Sequence, residues 1–188
     1  MKSLLPLIGI LSVLQSFSQE AKLEQSIFSA QVGLFGAYVN NEYAVSKKIA
    51  LRSEIGYEFI SLAYSDYLGF SYDMHPVITF EPRWYYNLER RAGRGKNISK
   101  NSANFISIKS SFNPNIFVST TGSENITVIS VIPTWGLRRK MGKHFNFETG
   151  FGIGGGYLFY EDLQYNDELY VTVNLHLRFG YNFFIGSK

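Results

Sequence analysis

The strongest constraint on the fold lies near the carboxyl end, where residues 169–184 read LYVTVNLHLRFGYNFF. Val171, Val173, Leu175, Leu177, Phe179, Tyr181 and Phe183 fall on one face, and Tyr170, Thr172, Asn174, His176, Arg178, Gly180 and Asn182 on the other. A helix repeats every 3.6 residues and cannot sustain this alternation, whereas a strand requires it. The run is also longer than the roughly 5–6 residues usual in a soluble sheet. It suits a tilted strand crossing of about 9–11 residues with an overhang.

The same alternation recurs along the chain. It predicts strands over 27–39, 49–63, 76–88, 104–119, 126–139 and 144–160, with Pro114 at a bulge. Each sets apolar residues against polar ones. Ile78, Phe80, Pro82, Trp84 and Tyr86, for example, oppose Thr79, Glu81, Arg83 and Tyr85. Connections at 40–48, 89–103 and 140–143 follow one end of the strands. Those at 64–75, 120–125 and 161–168 follow the other.

Two architectures bury such faces. A soluble exported sandwich or lipocalin-like binder turns its apolar faces inward, and a membrane barrel turns them outward around a polar lumen. Charges recurring on one face of nearly every strand favour the barrel. Sixteen Phe, thirteen Tyr and seventeen Gly without a long apolar run agree with it. The expected fold is all-β, an up-and-down antiparallel transmembrane barrel. Seven strands are evident, and an even number is required when both ends lie on one side. Eight are therefore expected, with one concealed by a break within 27–48.

The first eighteen residues, MKSLLPLIGILSVLQSFS, join one lysine to an apolar run and a small-residue exit, the pattern of a cleaved signal peptide. Cleavage before Gln19 would leave 19–188 as a single domain exported to the bacterial outer membrane. The chain has no cysteine, so neither a disulfide nor a lipid-modified cysteine is expected. A formal charge of +3 is no nucleic-acid footprint.

Alternation nominates a lumenal charge lattice of Arg52, Glu54, Glu58, Glu81, Arg83, Lys109, Glu148, His176 and Arg178. Four bases face four acids, as a plugged interior demands, because an unpaired buried charge is costly. Trp84, Tyr86 and Trp135 near one end, and Tyr157, Phe159 and Tyr160 near the other, suit two aromatic girdles. TGFGIGGGYLFY (149–160) contains G-x-G-x-x-G. No helix pattern follows it to receive a phosphate, so the glycines are expected to leave room in a narrow lumen. His176 beside Glu148, and His75 with Asp73 and Ser71, are the nearest approaches to acid-base clusters. Neither assembles a nucleophile with a base, so no catalysis, metal or cofactor is expected. The basic run RRAGRGKNISK (90–100) lacks P-loop spacing and reads as a solvated turn able to touch anionic headgroups.

The stretch PVITFEPRWYYNLERRAGRGKNISKNSANFISIK (76–109) resembles small outer-membrane β-barrel proteins of flavobacteria and their relatives. IALRSEIG, IPTWGLRRKMGKHFNFETGFGIG and NLHLRFGY extend the resemblance over most of 19–188. The family's arginine-aromatic motif maps to Glu81, Arg83, Trp84, Tyr85 and Tyr86. The resemblance implies an outer-membrane barrel and carries no activity with it. Small barrels of this kind usually end on an aromatic residue read by the assembly machinery, whereas Phe184 is followed here by IGSK. The expected partners are outer-membrane lipid, that machinery, and surface ligands through loops 64–75, 120–125 and 161–168, around a monomer with a structural or adhesive role. A lumen that binds or passes small solutes is the alternative, with a lipid-modifying enzyme behind it.

Overall fold

The computed structural model describes residues 21–65, 69–116, 118–119, 126–160 and 167–186. Its strands are β1 (Ser26–Gly33), β2 (Gly36–Ala44), β3 (Ile49–Ser65), β4 (Gly69–Trp84), β5 (Asn104–Asn113), β6 (Val118–Ser119), β7 (Ile126–Met141), β8 (Phe145–Tyr160) and β9 (Glu168–Gly186). All neighbours pair antiparallel, and β9 returns to β1, closing the ring. Chain continuity stops after Asn113, where Pro114 cannot donate to the ladder. The two-residue β6 then resumes the same place beside β4. Nine segments thus fill eight positions, and the barrel is up-and-down and eight-stranded, the number that seven alternating stretches and the even-count requirement predict together.

The concealed strand comes from the break within 27–48. Leu34 and Phe35 form a tight turn between β1 and β2, so the region expected as one strand and a connection is a hairpin. Gly36 makes it possible. A Cβ there would stand 2.1 Å from the Tyr57 carbonyl oxygen on β3. Two further boundaries differ from expectation. Strands β3 and β4 run to Ser65 and from Gly69, so most of 64–75 is wall rather than loop. At the other end β4 stops at Trp84, four residues before the predicted limit, because Tyr85 turns into the barrel. The segments 1–18, 120–125 and 161–166 lie outside the described residues.

We call the end holding Ser26 and Gly186 the lower end. The turns 45–48 and 142–144 and the connection 85–103 lie there. The connection is a lid rather than a solvated turn: it carries helix α1 (Leu88–Ala92) and a 3₁₀ turn (Ser99–Asn101). Leu23, Ala50, Tyr85, Leu88, Ala103 and Phe105 bury one another there in the molecule's apolar cluster.

Elsewhere burial is inverted. Among the described residues, ten hydrophobic side chains are buried while thirty-five large ones are exposed. Arg52, Arg83 and Arg138 are among the largest fully buried side chains. The apolar faces look outward.

Candidate functional site

Arginines from two strands converge on one carboxylate. Glu148, on β8, receives Arg52 Nη1 from β3 at 3.1 Å and Arg83 Nη2 from β4 at 2.8 Å. Arg52 also pairs with Glu54, and Arg83 with Glu81 at 2.7 Å and Glu42 at 3.3 Å. Arg138 of β7 reaches Glu42 at 3.1 Å, and Arg178 of β9 reaches Glu54 at 2.9 Å. Lys109 meets Glu58 loosely, at 3.8 Å. Five acids therefore face five bases, with Arg52 holding two carboxylates and Arg83 three. Neutral groups fill the remaining positions: Gln31 Nε2 donates to Asn146 at 3.0 Å, and Asn146 Nδ2 donates to Asn182 at 2.8 Å.

All nine lattice residues expected from the sequence face the lumen, and two more complete it. Glu42 was missed because its strand was taken for a connection. Arg138 was missed because LRRK looks like a strand end, although Thr134 and Gly136 on β7 fix its inward parity. Glu42 is also the link to the lid. Tyr85 Oη donates to its Oε1 at 2.8 Å, and Asn101 Nδ2 donates to the same oxygen. Burial, with Glu42 beside it, pushes the Tyr85 phenol well above its ordinary range.

The glycines at 150–156 serve the lumen. A Cβ on Gly150 would stand 2.5 Å from His176 Cε1, and one on Gly156 would stand 2.4 Å from the Tyr170 ring. Gly150 and Gly156 seat large side chains from β9, whereas a Cβ on Gly152 or Gly154 would meet β7, and the strand continues through the G-x-G-x-x-G stretch with no helix at its end.

Of the aromatic set, Trp84, Tyr86 and Trp135 face outward toward the lower end, where Trp135 Nε1 donates to Tyr86 Oη at 2.9 Å. Tyr157 and Phe159 face outward at the upper end with ring centroids 4.7 Å apart. Tyr160 falls on the inward-facing parity with Leu158, off the outward band.

Above the lattice the lumen opens into a cavity of about 600 Å³. Lys109, Ser111, Ser130, Tyr170, Asn174 and His176 line its polar side. Asn174 Nδ2 lies 3.3 Å from His176 Nδ1, while His176 Nε2 takes no hydrogen bond and stands 3.7 Å from Glu148. Ser71, Asp73 and His75 occupy β4 itself rather than a loop. Among the described residues no three His, Cys, Asp or Glu side chains are grouped to hold a metal.

Comparison with protein-family models, with curated proteins and with solved structures returns no match.

Proposed function

We propose that the protein is an integral outer-membrane barrel, monomeric and non-catalytic, with a structural or loop-mediated role at the cell surface. It is of the small flavobacterial type suggested by residues 76–109. The observation that carries this reading is the inverted burial: among the described residues, thirty-five large hydrophobics are exposed against ten buried. Water would penalise that surface at roughly 25 cal/mol per Å² of apolar area, whereas hydrocarbon would not. Apolar patches on soluble monomers rarely exceed a few hundred Å². No helix among the described residues is long and apolar enough to span a bilayer, but a barrel crosses with strands. The strands pair with one another around a closed ring, and the outward aromatics at both ends suit interfacial girdles. Lipid and the barrel assembly machinery would be its partners, and the upper connections would face outward from the cell.

The test is fractionation of cells expressing the full chain, followed by gels run with and without boiling. A heat-shifted band in the outer-membrane fraction is the expected result. A soluble species without a shift would overturn the reading. Phe151→Arg, on the outward face at mid-β8, is expected to cost about 2–4 kcal/mol in bilayers.

A second reading, ligand binding within the lumen, is favoured by the upper cavity.

A further inference from the structure

The first hairpin is half as tall as the wall around it. Strands β1 and β2 have 8 and 9 residues, whereas their outer neighbours β9 and β3 have 19 and 17. The hairpin tip joins both neighbours: Leu34 N donates to the Leu177 oxygen at 3.3 Å, and Phe59 N donates to the Phe35 oxygen at 2.8 Å. Above the tip β3 and β9 do not pair with each other. Among the described residues a slot therefore opens sideways through the barrel wall, directly over Leu34 and Phe35.

Its β9 flank is apolar. Leu169 and Val171 are 76% and 80% exposed, the highest values on the outward face, and Val173 and Leu175 continue the row. Leu169 is in register with Tyr157, so this flank lies at and below the upper aromatics. An eight-residue strand tilted by about 40° rises only roughly 20 Å, less than the apolar band of about 25 Å. Because backbone groups alternate sides along a strand, those of Val171, Val173 and Leu175 point into the slot, as Leu177 does. Such an edge is tolerated at hydrocarbon depth only where it borders a wet cavity or a ligand.

The cavity lies behind it. Outward Val173 and Leu175 line it together with lumenal Asn174 and His176, so the space is continuous around the β9 edge. Its volume of about 600 Å³ lies within the usual range for ligand sites. Polarity is graded: Leu34, Phe35, Phe59 and Val173 stand at the slot, and Lys109 and Ser111 stand within. Lys109 is held by its distant Glu58 only weakly.

We infer that this slot and cavity admit an acyl-chain amphiphile from the outer leaflet, its chain on the Leu34–Phe35 tip and β9 edge, its anionic head at Lys109. This rests on the membrane reading above. A carboxylate or a phosphate head would meet the same donor.

The test uses the full-length protein purified from host membranes in nonionic detergent, with palmitate or lyso-phosphatidylglycerol added and adducts counted by native mass spectrometry. One adduct per chain is expected with at least one of the two probes, and their relative affinities identify the head. Ser130→Phe, which fills the cavity, is expected to abolish the adduct. Lys109→Gln is expected to weaken it about tenfold, the loss of one charge-assisted contact. Equal retention in both variants would mean nonspecific annular lipid and would overturn the inference. A protein that is heat-modifiable yet carries no adduct would overturn the ligand and leave the membrane barrel intact. A protein absent from the membrane would overturn both.

Discussion

The lower and upper halves of the lumen are built from the same strands by opposite rules. Below, Arg52, Arg83, Arg138, Glu42 and Glu148 are fully buried and mutually paired, and a folded lid closes the end. Above, small hydroxyl and amide side chains surround open space, and one wall is missing over the hairpin. The difference teaches where the barrel's specificity resides. A dense ionic layer fixes strand register, since each guanidinium must find its fork. The upper half can then be left open without the ring losing its alignment. Balance is what makes the lower layer tolerable, because a buried charge without its partner costs several kcal/mol.

The comparison breaks most readily at Glu148. Glu148→Ala leaves the Arg52 and Arg83 guanidiniums facing each other, and about 3–5 kcal/mol should be lost. Urea unfolding followed by the gel shift reads this directly, and a change below about 1 kcal/mol would show that the layer is not a stability element. A smaller effect is expected at the boundary between the halves. Gly150→Val drives a side chain into His176 and the Trp135 carbonyl, costing about 1–3 kcal/mol. Gly155→Ala, whose Cβ would meet nothing nearer than 4.0 Å, should change stability by less than about 0.5 kcal/mol. Comparable losses at the two glycines would remove the seat-for-a-side-chain explanation.

The smallest effect sharpens the lid. Lys100 sits in the left-handed region (φ 55°), and its buried Nζ takes no hydrogen bond. Burial, then Lys140 and Arg138 nearby, lower its pKa from the ordinary lysine value. The unfolded chain therefore holds this proton more tightly than the folded one. The penalty is full below the folded pKa and vanishes as pH rises through the unfolded value, so stability should climb with alkaline pH. Lys100→Met should raise stability slightly at neutral pH and flatten that climb. An unchanged slope in a pH series of unfolding curves would contradict this.

Much of this was legible because alternation determines both the strands and their faces. Arg52, Glu81, Arg83, Glu148 and Arg178 could be assigned inward from parity alone. The β1–β2 hairpin escaped because its turn residues, Leu34 and Phe35, are apolar and carry none of the usual turn chemistry. The flanking Gly33 and Gly36 were the available signal. The lid escaped for a different reason. Its helix has five residues, too few to display a period, and its run of basic residues looks like a solvated turn. The slot is a difference in strand length, and no single residue announces it.

The ring's closure has a kinetic consequence. The seam joins the first strand to the last, with Ser26 beside Gly186 and Gly33 beside Arg178, and it also contains a register shift at Phe28–Ser29. Contacts so distant along the chain form late, because nearly all of it must be ordered before they can be made. The β8–β9 and β7–β8 hairpins are local and long, so they are available as an early template. Strand β1 must therefore dock on β9 last, over 8 residue pairs where β8 makes 14. The same seam is where a denaturant or a pulling force should first unzip the cylinder, turning it into a curved, still-paired sheet before any hairpin is lost.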